Sequence, residues 1–76
     1  MLASENSLKT PELIAGSTVM FSNSTSRYAK WFFGQIGTVV SARNGSCRVR
    51  WNDPVEYHNM KASISDFEQH NFTVIC

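Results

Sequence analysis

The dipeptide Asn44-Gly45 restricts the fold of this 76-residue chain more than any other sequence feature. It lies between two runs of β-forming composition, 38–43 and 46–51. Asn-Gly accommodates the positive φ angles that both central residues of a type I′ turn require, so it predicts a two-residue hairpin loop. The cross-strand pairs predicted outward from this loop are Arg43–Ser46, Ala42–Cys47, Ser41–Arg48, Val40–Val49, Val39–Arg50 and Thr38–Trp51.

Side chains alternate along a strand, so these pairs divide into two faces. The predicted core face carries Val40, Ala42, Cys47, Val49 and Trp51. The opposite, cationic face carries Arg43, Arg48 and Arg50, with Ser41 and Val39. A slip of one residue would bury the arginines, and the pattern therefore favours this register.

The rest of the chain divides into an arm and one small domain. Residues 1–15 are polar and mixed, and we expect a flexible N-terminal arm followed by a domain over residues 16–76. The chain is 42% hydrophobic, which is too apolar for a wholly disordered protein.

Short β segments and turns are predicted around the hairpin. Strands are expected over residues 17–21, 56–62 and 72–75. Asn52-Asp53-Pro54 predicts a turn, because proline biases the preceding residue away from helix. Segment 63–68 predicts a single helical turn capped by Ser63. The chain is therefore expected to be all-β, with five strands and one short helical turn before the last strand.

Charge is nearly balanced overall but unevenly distributed. The formal net charge is +1, yet no acidic residue occurs between Glu12 and Asp53. The basic residues in that interval are Arg27, Lys30, Arg43, Arg48 and Arg50. This distribution indicates either a local basic patch that meets phosphates or acidic protein surfaces, or ordinary surface charge that keeps the sheet soluble.

Segment 27–33 combines basic and aromatic residues next to the hairpin. Guanidinium groups bind phosphates or carboxylates through two parallel hydrogen bonds, and aromatic rings stack on bases. The residues predicted to bind nucleic acid or a protein partner are Arg27, Tyr28, Lys30, Arg43, Arg48 and Arg50.

Catalysis and metal binding are not indicated. The soft metal ligands, Cys47, His58, His70 and Cys76, lack zinc-type spacing, so neither a metal nor another cofactor is expected. Cys47 is expected in the core rather than in the accessible electropositive setting that a reactive thiolate needs. With no apolar run that could span a membrane and no signal-peptide pattern, we expect no membrane partner and a reducing, cytoplasmic location.

The predicted order of elements resembles the SH3-like small barrel: five short strands, a long connection and a helical turn before the last strand. Gly34-Gln-Ile-Gly37-Thr-Val39, followed by Arg48-Val49-Arg50, resembles the KOW element. The chain from Gly16 to Ile75 also resembles the peripheral E subunit of photosystem I. Its matching stretches are Gly16 to Val19, Tyr28 to Trp31, Gly37 to Val39, Val49 to Trp51 and Asp66 to Glu68, with Trp51 where that family usually has phenylalanine.

One enzyme family shares this barrel type, the type II dihydrofolate reductase. Trp31 to Ile36 resembles its Trp-x-Gly-Gln-Ile run. Its signature strand Val-Gln-Ile-Tyr has no counterpart, since the nearest candidate, Tyr57-His58-Asn59-Met60, lacks the hydroxyl and amide at the required places. The enzyme hypothesis therefore stays a remote alternative, and we expect a protein that is not an enzyme.

The KOW resemblance implies contact with RNA, DNA, or ribosomal or polymerase proteins. The first functional hypothesis is therefore a module that contacts nucleic-acid backbone through the arginine face. The second is an adaptor or small regulator or inhibitor that docks on an acidic surface of a larger protein, and the near-zero net charge favours it. The sequence does not indicate an oligomeric state.

Overall fold

Five antiparallel strands form the framework of residues 13–75, the part of the chain that the computed structural model describes. The elements are β1 (Thr18–Phe21), α1 (Ala29–Phe32), β2 (Ile36–Arg43), β3 (Ser46–Tyr57), β4 (Met60–Glu68), a 3-10 turn (Gln69–Asn71) and β5 (Phe72–Val74). The strand order in the sheet is β4-β3-β2-β1-β5. This confirms the all-β class and the short helical turn before the last strand.

The β2–β3 hairpin turns where Asn-Gly predicts. Asn44 and Gly45 have φ angles of 53° and 81°, so both occupy the left-handed region that this loop requires. The three pairs next to the loop, Arg43–Ser46, Ala42–Cys47 and Ser41–Arg48, form as predicted.

Beyond these pairs the predicted register is wrong, because β2 contains a bulge between Val39 and Ser41. Val39 pairs with Val49 instead of Arg50. Thr38 pairs with Arg50 and Gly37 with Trp51, which replaces the predicted Thr38–Trp51 pair. The extra residue, Val40, shifts the alternation by one position.

The bulge exchanges the predicted places of two valines. Val39, expected among the arginines, is 1% exposed, while Val40, expected in the core, is 40% exposed. Gly37 is buried opposite Trp51, and a Cβ atom there would lie 2.5 Å from the Arg50 carbonyl oxygen. The bulge therefore places Val39 in the core, and at Gly37 any larger side chain would force β3 to shift.

The predicted turn at Asn52-Asp53-Pro54 lies inside β3 instead. The pairing of β3 with β4 is interrupted between Arg50 and Val55, so the three residues occupy an irregular stretch. Proline donates no amide hydrogen, and such a stretch is where a strand tolerates it. The chain does not reverse there, because Val55 resumes pairing with Ala62.

The reversal comes at His58-Asn59, so the single strand predicted over residues 56–62 is instead the end of β3, a two-residue turn and the start of β4. Both residues have positive φ angles, 51° and 64°, and His and Asn are among the residue types that tolerate this conformation best. The helical turn predicted over 63–68 is also wrong, because these residues belong to β4, and the helical turn follows at Gln69–Asn71. Strand pairing with β3 overrides the local capping signal of Ser63.

The core lies on the inner face of the sheet and is rich in aromatic rings. Its buried side chains are Val19, Phe21, Phe32, Val39, Cys47, Val49, Trp51 and Val55, with Phe72 at the margin. Trp51 is 4% exposed, which confirms its predicted burial. Its indole N–H donates a hydrogen bond of 2.9 Å to the Ser65 hydroxyl, so burial leaves no indole donor unpaired.

Candidate binding surface

The outward face of β2 and β3 carries the three predicted arginines. Arg48 and Arg50 alternate with the buried residues of β3, and all three arginines are exposed. Arg43 lies opposite Ser46, two residues before Arg48, and directly opposed residues share a face. The structure therefore brings Arg43, Arg48 and Arg50 together on one face, which we call the arginine face.

Arg48 differs from the other two because it is paired with a carboxylate. Its Nε donates to Asp66 Oδ1 at 2.8 Å, and its Nη2 donates to Oδ2 at 3.2 Å. These hydrogen bonds from Arg48 hold the pKa of Asp66 below its ordinary value, and the hydrogen bond to Asp66 raises the pKa of Arg48. From the sequence, Asp66 is predicted to lie on a helical turn. In the structure it lies on β4, directly opposite Arg48.

Arg43 and Arg50 are not paired in this way. Within residues 13–75, neither guanidinium has a carboxylate oxygen within 4 Å. The cross-strand neighbours of Arg50 are Thr38 and Ile64, both uncharged. Two of the three guanidinium groups are thus available to an external anion.

One exposed apolar side chain lies opposite Arg50, and another lies at the bulge of β2. Ile64 of β4 pairs with Arg50 of β3 and is 49% exposed, and Val40, the extra residue of the β2 bulge, is 40% exposed. A guanidinium beside exposed aliphatic groups is a composition that is also common in protein interfaces.

The basic and aromatic segment packs at the side of the sheet through α1. The Tyr28 ring lies 5.4 Å from that of Phe67, centroid to centroid. The Arg27 guanidinium lies 5.9 Å from the centre of the Tyr28 ring, and the Lys30 ammonium lies 4.8 Å from that of Trp31. Both cations therefore lie over aromatic faces, where the ring quadrupole attracts them.

Some of the predicted binding residues of segment 27–33 and of the arginine face lie in two adjoining clefts rather than in one site. Arg27 and Tyr28 line one open cleft, Arg43 and Arg48 line another, and both clefts share Ser46 and Asp66. Arg50 and Lys30 line neither cleft. Asp66 therefore lies where the cleft lined by Arg27 adjoins the cleft lined by Arg43 and Arg48.

The sequence did not identify one further cluster. Trp31 of α1 contacts Tyr57 and His58 from the β3–β4 hairpin, with ring centroids 4.8 Å apart in both cases. The β3–β4 hairpin turns at a His-Asn pair, which lacks the glycine that marks most two-residue loops. The turn, and with it this cluster, was therefore not predicted from the sequence.

The described residues provide no metal site or accessible thiol. No group of three or more His, Cys, Asp and Glu side chains within residues 13–75 is arranged to hold a metal ion. Cys47 is buried, as predicted, and burial, together with the charge of Asp66, raises the pKa of its thiol to about 11. Cys76 lies outside the described residues. Over the same residues, the structure contains no helix with the length and apolarity to cross a membrane.

Comparison of the chain with protein-family models, curated proteins and solved structures returned no significant match.

Proposed function

We propose that this chain is an SH3-like small barrel that acts as a non-catalytic module and contacts nucleic-acid backbone through the arginine face. The SH3-like assignment is supported by the five antiparallel strands, the pairing of β1 with β5 and the helical turn just before β5. The KOW-like, nucleic-acid-binding character rests on the hairpin of β2 and β3. A cytoplasmic location remains a prediction.

One observation carries the proposal: Arg43 and Arg50 lie on the same exposed face without a carboxylate partner among the described residues. Exposed, unpaired guanidinium groups bind phosphate oxygens with two donors at once. Residues 13–75 contain six lysines and arginines and four aspartates and glutamates, so the surplus of positive charge is small. We therefore expect modest affinity for nucleic acid and little discrimination between base sequences.

A binding titration at two salt concentrations tests this function. Labelled RNA and DNA, single-stranded and duplex, are titrated with the full chain at about 50 and 200 mM salt, where phosphate contacts lose affinity steeply. We expect the double variant Arg43→Ser/Arg50→Ser to remain folded, to bind more weakly and to have a flatter salt dependence. For duplex DNA the slope of log K against log salt should change by about 0.9 for each phosphate that the variant no longer neutralises.

Lys61→Ser is the matched control, because Lys61 is an exposed cation on β4 opposite Glu56, and the irregular stretch of β3 separates that pair from Arg50. It should change affinity much less than the loss of Arg50 alone. The proposal is wrong if no nucleic acid binds, or if the double variant binds as tightly as the unmodified chain while keeping its melting temperature.

The second candidate function is docking on an acidic surface of a larger protein, as an adaptor or a small regulator. Two exposed apolar side chains favour it: Ile64, opposite Arg50, and Val40, at the bulge of β2. Replacement of Val40 and Ile64 by Ser should leave nucleic-acid binding intact under the first function. Under the second, it should abolish capture of the protein partner, with a smaller effect of salt.

A further inference from the structure

A group of aromatic rings lies at one end of the molecule, where α1 meets the β3–β4 hairpin. It consists of Tyr28, Trp31, Tyr57 and His58, and we call it the aromatic ledge. The first three side chains are half-buried and His58 is exposed, so the cluster is neither core nor loose surface. The backbone of His58 has a positive φ of 51°, and in this turn its ring lies against Trp31.

The rings hold Trp31 in one orientation. The Tyr57 ring meets it at an interplanar angle of 88°, with centroids 4.8 Å apart, and His58 lies at the same distance from Trp31. Tyr57 and His58 are 4.4 Å apart. Rings this close contact each other directly, so no ligand group fits between them, and a ligand must use an outer face.

One face of the Trp31 ring is already occupied by a cation from the chain itself. The Lys30 ammonium lies 4.8 Å from the ring centre, and the lysine side chain is exposed. The face is thus open to a group from solvent once Lys30 moves aside. A second external cation would be repelled by Lys30, whereas an anion or a neutral flat ring would not.

Negative charge near the ledge is limited. Glu56, Tyr57, His58 and Asn59 line the open cleft beside Trp31. Glu56 is paired with Lys61 in the β3–β4 register, so its cross-strand neighbour carries the opposite charge. Asn59 contributes an amide, which both donates and accepts hydrogen bonds.

We propose that the aromatic ledge binds an unpaired base of a single-stranded nucleic acid, which stacks on the outer face of Trp31. Lys30 then moves from the ring to the adjacent phosphate. This inference rests on the proposed function and adds that the preferred nucleic acid is single-stranded, because a base inside a duplex has no free face.

Tryptophan fluorescence tests the stacking step directly. The full chain is titrated with oligo(dT) and oligo(rU) of about 15 nucleotides and with a duplex of the same length. We expect the single strands to quench Trp31 emission and the duplex to leave it nearly unchanged. Trp51 is 4% exposed, so in the variant Trp31→Phe, which retains only Trp51, quenching should disappear.

Affinity measurements give a second, independent readout. Trp31→Ala should weaken single-strand binding by roughly 5- to 150-fold, which corresponds to the 1–3 kcal/mol attributed to one stacked base. Trp31→Phe keeps a ring on Tyr57 and should lose less, which keeps the test valid if the alanine variant is unstable. Lys30→Gln should reduce the slope of log K against log salt by about 0.7, the single-strand value for one phosphate.

Phe33→Ala is the matched control, because Phe33 is an aromatic residue of the same segment, 51% exposed and outside the ledge. It should leave affinity unchanged. If Arg43→Ser/Arg50→Ser weakens binding while Trp31→Ala does not and no quenching occurs, the stacking inference is wrong and the proposed function stands. If no oligonucleotide binds, both are wrong. If a lysine-rich peptide quenches Trp31 and oligonucleotides do not, the ledge is a cation site and the inference is again wrong.

Discussion

Substitution of threonine for each of two adjacent valines should have very different effects on stability. Val39 is 1% exposed and Val40 is 40% exposed, although they are neighbours on β2. Threonine has the shape of valine and a similar preference for strands, so the change mainly replaces a methyl group with a hydroxyl. At position 39 that hydroxyl is buried among apolar groups, which costs about 1–3 kcal/mol. At position 40 it faces solvent, and we expect a change within about 0.5 kcal/mol.

Chemical denaturation followed by fluorescence or circular dichroism measures the two free energies of unfolding. For a domain of this size, a loss of about 2 kcal/mol lowers the melting temperature by roughly 8–16 °C. Val39→Thr should therefore melt well below the unmodified chain, and Val40→Thr close to it. Equal losses, or a larger loss for Val40→Thr, would show that β2 has no bulge and that alternation from the Asn44-Gly45 loop continues unbroken.

Two further predictions concern Gly37 and Cys47. Gly37→Ala should destabilise the fold by about 1–3 kcal/mol, because a Cβ atom would lie 2.5 Å from the Arg50 carbonyl oxygen. Gly45 has open space around it but a φ of 81°, so Gly45→Ala should destabilise the fold by about 1 kcal/mol, less than Gly37→Ala. A denaturant titration in which Gly45→Ala is the more destabilising change would contradict this ranking. The folded Cys47 thiol has a pKa raised to about 11 from 9.0, so stability should fall as pH rises between these values. In a Cys76→Ser background, Cys47→Ala should remove that part of the fall, and an unchanged pH profile would argue against burial of the thiol.

The sequence predicted the parts of the fold that local chemistry determines. Asn44-Gly45 identifies the loop because few other dipeptides adopt two positive φ angles in succession. Burial of Trp51 and Cys47 follows from alternation counted from that loop, and along β3 the count remains correct as far as the irregular stretch after Trp51.

Features that depend on contacts distant in sequence were missed. A bulge leaves no local signal, so counting along β2 exchanged Val39 with Val40. Segment 63–68 begins with a residue that can cap a helix, and only pairing with β3 shows that it is a strand. The same pairing brings Asp66 to Arg48, 18 residues away in the chain. Local sequence does not show this contact, and Arg48 was therefore predicted to be an unpaired cation.

The variant Asp66→Asn, which breaks the ion pair between Arg48 and Asp66, distinguishes the two candidate functions. An amide cannot supply the two charged acceptors that hold Arg48, so the guanidinium is freed on the arginine face. If the partner is nucleic acid, affinity should rise, and the slope of log K against log salt should steepen by about 0.7 for a single strand or about 0.9 for a duplex. Because the pair is exposed, stability should hardly change.

Glu68→Gln is the matched control, since Glu68 is an exposed acid on the same strand without a bond to Arg48. An equal gain from both variants would indicate a general charge effect instead of release of Arg48.

The same release can be driven by pH. The pKa of Asp66 lies below its ordinary value, so the small stability that this exposed pair contributes is present above the unfolded pKa and is lost as pH falls through the folded pKa. Acidification through that range should therefore strengthen nucleic-acid binding of the unmodified chain more than that of Asp66→Asn. A partner protein that uses Asp66 as a contact would respond in the opposite way, with weaker binding on either change.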